Sequence, residues 1–142
     1  MKMNKEYWLE RGKNEVLYKH ESFYTITPIP YYRQRRNKIL DELEKDIKRS
    51  KTESICDFGC GDGFYLNYFR EKFTRLKWYG VDISDTMIER AKMSNPGVSF
   101  YNDLTGICGS TDLIYSIAVL AHIVDEDILL SVFDIISDKI TY

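Results

Sequence analysis

Three acidic side chains fall where the sequence predicts that buried strands end. Asp57 precedes a glycine-rich turn, Asp82 ends a second apolar stretch, and Asp103 follows a third. A carboxylate at such a position can accept hydrogen bonds from a ribose diol or an adenine amino group, or lie near an amine or a sulfonium. The three acids together therefore predict a site for a ligand with a nucleoside and a cationic centre.

The turn after the first predicted strand carries Gly59, Gly61 and Gly63 at alternate positions of the stretch ICDFGCGDGF. Glycine takes positive φ without penalty and lets the backbone approach a ligand closely. A dinucleotide fingerprint needs glycine or alanine where Phe64 stands, and a P-loop needs Gly-Lys-Ser/Thr, which is absent from the sequence. The neighbouring acids would also repel a pyrophosphate. The sequence therefore favours a turn that lies beneath a ligand of another kind, and a solvent-exposed structural turn without a ligand is the alternative.

Strands alternate with helices after Ser54, a pattern that predicts an α/β fold with a mostly parallel sheet. The predicted strands are SICDF, KWYGVDI, VSFY and TDLIYSIAV. The predicted helices are 4–20, one containing Ile39, Leu43 and Ile47, Phe64–Phe73, one capped by Ser84, and one from Asp125 or Glu126 to Asp138. In such sheets ligands bind outside the carboxyl ends of the strands, which is where the acids fall.

The composition of the 142 residues indicates a single domain of ordinary soluble character. The net charge of −2 argues against nucleic-acid binding, and no apolar run reaches membrane-spanning length. The three cysteines show no metal-ligand spacing and favour a reducing cytoplasm, and we expect no metal site. Aromatic residues concentrate within 1–50, which is predicted to be a helical segment forming either a lid or a packing layer over a cofactor-binding core at 51–142.

Several stretches resemble the class I S-adenosylmethionine-dependent methyltransferases. ICDFGCGDG is similar to motif I of that family, an acid followed by G-x-G-x-G. The family's next motifs resemble GVDIS followed by MIERAK, FYNDL and TDLIYSIAVLAHI, in family order over 54–138. The resemblance implies an incomplete Rossmann-like fold, S-adenosylmethionine as cofactor, S-adenosylhomocysteine as product, and a small-molecule, glycan-like or lipid-like acceptor. The alternative is a non-catalytic S-adenosylmethionine-binding module or a fragment of a larger enzyme or complex.

The resemblance also implies roles at the methionine end of the cofactor. Asp57 would lie near the amino group, and the turn would lie beneath the methionine and ribose. The implied turn residues are Gly59, Cys60, Gly61 and Gly63, and the residues that line the pocket after the fourth strand are Ser116, Ile117 and Ala118. Arg33 or Tyr24 would close on the methionine carboxylate.

At the adenosine end the resemblance assigns the ribose hydroxyls to Asp82, with Ile83 against the adenine. Asp103 would meet the adenine amino group, with Asn102 and Leu104 beside it. A methyl transferase mainly aligns its reactants and excludes water, and a general base helps when the acceptor is a hydroxyl.

His122, just past the fourth predicted strand, is the candidate general base, with a structural histidine as the alternative. The basic run Arg33, Arg35, Arg36 and Lys38 is predicted to be a solvated helix face, with binding of an acidic acceptor as the alternative.

Family members usually have seven strands in the order 3-2-1-4-5-7-6, whereas only four strands are predicted here. The fourth strand, normally central, should therefore lie at an edge. We expect a second copy, the N-terminal segment or a missing C-terminal portion to cover it.

Overall fold

The computed structural model describes residues 5–13 and 30–140. Four parallel strands form one sheet in the order β3-β2-β1-β4, with β1 at Ser54–Phe58, β2 at Lys77–Val81, β3 at Ser99–Tyr101 and β4 at Leu113–Tyr115. The α-helices are α1 Lys5–Lys13, α2 Pro30–Arg49, α3 Phe64–Lys72, α4 Asp85–Ser94 and α5 Glu126–Lys139. Short 3-10 helices span Leu104–Gly106 and Leu120–His122. The predicted α/β fold with a parallel sheet is confirmed.

Side chains alternate between the two faces of the sheet, as strand geometry requires. Ile55 of β1 faces a first cluster that contains the buried Leu40 of α2 and Phe69 of α3. Cys56, the next residue, faces a second cluster that includes Ile136 of α5. Both faces of β1 are therefore covered, which explains why its burial is nearly continuous.

Helix α4 begins and ends at the signals that the sequence predicts. The hydroxyl of Ser84 accepts a hydrogen bond from the Met87 amide at 3.4 Å, which is N-cap geometry. Asn95, at the other end, is buried and donates to the carbonyls of Ala91 at 3.0 Å and Gly63 at 3.2 Å. These two bonds lock the end of α4 against the turn that follows β1.

Strand β4 is shorter than the predicted TDLIYSIAV. Its pairing with β1 runs from Leu113 opposite Ile55 to Tyr115 opposite Asp57 and then stops. The reason is the partner: β1 ends at Phe58 and the chain turns away at the glycines, so the next residues have no strand to pair with. The predicted position of β4 at an edge of the sheet is observed within the described residues.

Nowhere in the described ranges is there a helix of the length and apolarity needed to cross a membrane. Of the predicted helix over 4–20, the structure describes only the portion in α1. The predicted boundary between an N-terminal segment at 1–50 and a cofactor-binding core at 51–142 stays a prediction, because residues 14–29 lie outside the described residues.

Candidate active site

The reversal of strand order places a crevice between β1 and β4. The chain builds β2 and β3 on one side of β1 and then crosses to add β4 on the other side. Ligands of open parallel sheets bind at such a reversal, outside the carboxyl ends of the strands. Asp57 of β1 and Tyr115 of β4 pair directly across this point. Asp57 is therefore at the centre of the candidate site.

The backbone of the glycine turn is tied to the neighbouring strand. The amides of Gly59 and Cys60 donate to the Val81 carbonyl at 2.7 and 2.9 Å. The Gly61 amide donates to Oδ2 of Asp82 at 2.9 Å, and the Gly63 amide to the Cys60 carbonyl at 2.9 Å. These N–H groups therefore already have protein acceptors, which agrees with the argument from sequence that the turn is not a phosphate cradle.

The three glycines of the turn all have positive φ, but only one faces open space. A Cβ on Gly59 would overlap the side chain of Val119, and a Cβ on Gly63 would overlap Asn95. A Cβ on Gly61 would meet nothing within 4 Å. The room for a ligand above the turn is thus at Gly61, while Gly59 and Gly63 let the segment after β4 and the end of α4 pack closely.

Asp57 is 1% exposed, and its Oδ2 has no hydrogen-bond partner among the described residues. Burial raises the pKa of Asp57 to about 8, the Tyr115 hydroxyl opposes the rise, and the negative charges of Asp82 and Asp62 add to it. The Tyr115 hydroxyl is buried beside Asp57 and interacts with its carboxyl, whereas the buried Ser116 hydroxyl has no hydrogen-bond partner among the described residues. Unsatisfied polar atoms on Asp57 and Ser116 fit a polar or cationic ligand group at this crevice, because such groups rarely stay unpaired.

Asp82 already holds two backbone amides. Its Oδ2 accepts from Gly61, and its Oδ1 accepts from Ser84 at 2.9 Å. Burial raises the pKa of Asp82, and these two bonds oppose the rise. Each carboxylate oxygen has a second lone pair, so Asp82 can shape the turn and still accept from two ligand hydroxyls.

The loop after β3 supplies the predicted adenosine residues. Oδ1 of Asp103 accepts from the Thr105 amide at 2.8 Å and from the Thr105 hydroxyl, which caps the short 3-10 helix. Asn102 is exposed and donates to Oδ1 of Asp85 at 2.7 Å. Leu104 is buried in the second cluster, so it supports the loop from below.

Ile83 follows the carboxyl end of β2 by two residues and is 39% exposed, so it offers an apolar surface near that end of the strand. Among the residues after β4, Ser116 and Ile117 are half-buried, whereas Ala118 is exposed and has a φ of 59°. That strained backbone turns the chain into the 3-10 helix that carries His122.

Helix α1 contacts both sides of the crevice. The ring of Trp8 lies 4.8 Å from the ring of His122, centroid to centroid, at an interplanar angle of 57°. Gly12 packs against Ser84 so closely that a Cβ there would overlap the serine hydroxyl. The helix therefore touches the loop after β4 and the loop after β2, which is the position a lid would take. Tyr24 and the side chain of Arg33 lie outside the described residues.

Sequence reasoning missed two residues of this site, Tyr115 beside Asp57 and Val119 over Gly59. Tyr115 could have been found by counting along β4 in register with β1. The position of Val119, and the contact of Trp8 from the predicted aromatic segment with His122, depend on how distant segments fold back, which no local pattern indicates.

The sheet order, the glycine turn and the acids at the strand ends define a Rossmann-like α/β protein with a ligand site at the strand reversal. A family model described as a methyltransferase domain matches residues 31–138. The chain therefore belongs to this family of methyltransferase domains, as the sequence motifs predicted. No curated protein matches the sequence.

Solved methyltransferases share the fold. Magnesium protoporphyrin IX methyltransferase (ChlM) from Synechocystis PCC 6803 with bound SAM superposes with a TM-score of 0.70 and 17% identity over 96% of this chain and 71% of that one. The plantazolicin methyltransferase BpumL, in complex with a pentazolic desmethylPZN analog and SAH, has a TM-score of 0.67 and 18% sequence identity, and the match covers 96% of this chain and 54% of BpumL. StiE O-MT residues 961–1257 have a TM-score of 0.58 and 25% sequence identity, and the match covers 80% of this chain and 44% of that structure. This chain thus spans roughly half to seven tenths of these structures.

Proposed function

We propose that this methyltransferase takes its methyl group from S-adenosylmethionine, held over the carboxyl ends of β1 and β2, and passes it to a small-molecule acceptor. The observation that carries the proposal is the buried Oδ2 of Asp57 at the strand reversal, which has no hydrogen-bond partner among the described residues, together with the open space at Gly61 of the following turn. Structures of fold relatives with bound SAM and SAH support the choice of cofactor.

Asp57 is proposed to face the cationic methionine portion of the cofactor. A nearby positive charge favours the ionised carboxylate, so binding would release the proton that burial holds on Asp57. Cofactor affinity should therefore rise as the pH increases towards about 8. Tyr115 and Ser116 would supply neutral hydroxyls to the same group.

At the adenosine end, Asp82 would accept from the ribose hydroxyls with the lone pairs that Gly61 and Ser84 leave unused. Ile83 would cover one face of the adenine, and Asp103 with Asn102 would meet its edge. Cys60, which is buried within the turn, would contribute shape, because burial raises the pKa of its thiol and keeps it neutral.

The cofactor, when bound, supplies a methyl group on a positively charged sulfur, and the chain must align the acceptor and exclude water. Helix α1 is proposed to be the lid, because it contacts the loops on both sides of the crevice. His122 is proposed to accept the proton of a hydroxyl acceptor, with its ring oriented by Trp8.

Calorimetric titration with S-adenosylmethionine, S-adenosylhomocysteine and NAD tests the cofactor. We expect the first two to bind and NAD not to bind. Asp82→Asn should weaken S-adenosylmethionine binding by at least about tenfold, since a charge-assisted acceptor is lost. Asp134→Asn, an exposed acid of α5, is the matched control and should leave the affinity unchanged. Equal affinities for wild type and Asp82→Asn would overturn the ribose assignment.

A non-catalytic cofactor-binding module remains the second candidate, because the chain spans about half the length of BpumL. Single-turnover formation of S-adenosylhomocysteine with a panel of phenols, acids and amines separates the two candidates. Turnover that falls in His122→Gln with unchanged cofactor affinity supports the catalytic role, and binding without turnover of any acceptor supports the module.

We also propose that the edge of β4 is covered in solution by a second copy of the chain. The exposed apolar residues of α5 on that side support this, and light scattering that shows only monomer would overturn it. A cytoplasmic location is proposed from the free thiols of Cys56, Cys60 and Cys108.

A further inference from the structure

Tyr115 of β4 and Asp57 of β1 are register partners across the reversal of strand order. Register partners in parallel strands direct their side chains to the same face of the sheet. Tyr115 belongs to the first cluster, and so does Ile55, two residues before Asp57. The Asp57 carboxyl therefore lies beside the tyrosine on the face that α2 and α3 cover, where Asp57 is 1% and Tyr115 7% exposed.

The ring of Tyr115 is held in place from the opposite layer. It packs edge-to-face against Phe69 of α3, with 6.3 Å between the ring centroids and 68° between the ring planes, and Phe69 is fully buried. Burial raises the pKa of Tyr115 well above its ordinary value, and the negative charge of Asp57 adds to the rise. Tyr115 therefore keeps its proton and presents a rigid hydrogen-bond donor to the carboxyl.

The other ionisable neighbours do not favour a charge on Asp57. Two carboxylates raise its pKa, and they belong to Asp82 after β2 and Asp62 in the glycine turn. The thiols of Cys56 and Cys60 stay neutral, because burial raises the pKa of Cys56 to about 12 and also raises that of Cys60. The Tyr115 hydroxyl acts in the opposite direction and lowers the pKa of Asp57, because a hydrogen bond to the charged form favours that form.

We propose that Tyr115 is a positioning residue for cofactor binding: its hydroxyl donates to the Asp57 carboxylate when the cofactor binds and leaves Oδ2 for the cofactor's cationic portion. The proposal rests on the proposed function for the identity of the ligand. Binding turns the Asp57 carboxyl into a carboxylate, the released proton passes to solvent, and Tyr115 keeps its own proton. Tyr115 thereby sets the pH above which the site takes up the cofactor.

The first experiment measures the affinity for S-adenosylmethionine by calorimetry between pH 6 and 9. Tyr115→Phe removes the hydroxyl and keeps the ring that packs on Phe69, and Tyr79→Phe on the other face of the sheet is the matched control. The rise in affinity with pH should move up by about one pH unit in Tyr115→Phe. This variant then binds about tenfold more weakly than wild type at pH 7 and about twofold more weakly at pH 9. Tyr79→Phe should follow wild type.

The pH profile separates positioning from direct contact. If Tyr115 acted on the cofactor and not through Asp57, Tyr115→Phe would weaken binding by the same factor at every pH, and that result overturns the proposal. Equal affinities of Tyr115→Phe and wild type at pH 7 also overturn it. In the Asp57→Asn background, Tyr115→Phe should change the affinity by less than about twofold, because the two residues act as one unit, and additive losses would contradict this.

The stability of the free protein tests Tyr115 without any ligand. If wild type does not bind S-adenosylmethionine, the cofactor assignment fails, but urea unfolding across the same pH range still decides the role of Tyr115. The free energy of unfolding should fall as the pH rises and level off above the folded pKa of Asp57, about 8. In Tyr115→Phe the fall should continue for about one pH unit more, whereas Tyr79→Phe levels off with wild type. A Tyr115→Phe curve that levels off with wild type would show that Tyr115 does not act on Asp57.

Discussion

The two sides of β1 differ in how thoroughly their elements are buried. On the β2 side, α3 has Tyr65, Leu66 and Phe69 buried, and α4 has Ile88 and Ala91 buried. On the β4 side, α5 has no buried residue, although Ile135 and Ile136 pack against the second cluster. Its exposed apolar residues, with the preceding loop, are Val124, Ile128, Leu130 and Phe133.

The difference in burial indicates that the β2 side and the β4 side of the sheet have different sources of stability. The β2 side is assembled from two consecutive strand–helix–strand units, whose contacts are local in sequence. The β4 side depends on a crossover that brings Leu113–Tyr115 back to β1. Substitutions on the two sides should therefore have unequal effects, and the predictions below run from the largest to the smallest.

The largest contrast is expected between two phenylalanines. Phe69 is fully buried in the first cluster, whereas Phe133 of α5 is 46% exposed. Phe69→Ala should lower the free energy of unfolding by about 3–5 kcal/mol through lost burial and a residual cavity. Phe133→Ala should change it by less than about 1 kcal/mol. Urea denaturation followed by circular dichroism measures both, and equal losses would mean that α5 is as well buried as α3.

The glycine turn should be more sensitive at Gly59 than at Gly61. Both have positive φ, but only at Gly59 would a Cβ overlap Val119. Gly59→Ala should cost roughly 2–4 kcal/mol, from strain plus overlap, and Gly61→Ala about 1 kcal/mol, from strain alone. The double variant Gly59→Ala with Val119→Ala should recover part of the loss. A strictly additive double variant would show that Val119 does not cover Gly59.

Asp112 joins the two sides, so its loss should loosen β4. Its Oδ2 accepts from the amides of Glu53 at 2.9 Å and Ser54 at 2.8 Å, and from the Ser54 hydroxyl at 2.9 Å. Asp112→Ala should lower the free energy of unfolding by about 1–3 kcal/mol because these donors lose their partner. Hydrogen exchange should show faster exchange at the Glu53 and Ser54 amides. Unchanged exchange there would contradict the proposed link.

Asp57 should make stability depend on pH. Its ordinary pKa is 3.8 and its folded pKa is about 8, so between those values the folded protein holds a proton that the unfolded chain has lost. The stabilisation is complete below the unfolded pKa and is lost as the pH rises through the folded pKa, with a slope of about 1 kcal/mol per pH unit. Asp57→Asn should flatten that slope. Urea midpoints of the two proteins across this range make the measurement, and parallel curves would show that Asp57 does not hold the proton.

Local signals predicted the β2 side well. Helix α3 was expected at Phe64–Phe73 and is found at Phe64–Lys72, and the Ser84 cap is confirmed. A cap or an amphipathic stripe depends on residues within one or two helical turns, which the sequence displays directly. The extent of β4 was wrong by several residues, because a strand continues only while its partner does, and β1 turns at Gly59.

The residues of the candidate site also differ in how well the sequence predicted their positions. Asp57, Asp82 and Asp103 were predicted from their positions at the strand ends, and the parallel sheet places those ends at one edge. Their individual assignments stay predictions until ligand binding is measured. Tyr115 was not assigned to the site, because its surroundings come from segments far apart in the chain.

The sequence by itself determined the class of protein, since the acid–glycine turn, the order of motifs and the alternation of strands and helices are all written in neighbouring residues. Only the tertiary structure decided which glycine faces open space, that Oδ2 of Asp57 is buried with no hydrogen-bond partner in the part of the chain that the structure describes, and that α1 contacts both loops at the crevice. Those properties arise from packing between distant segments. Burial and register, which set them, exist only once the sheet has formed.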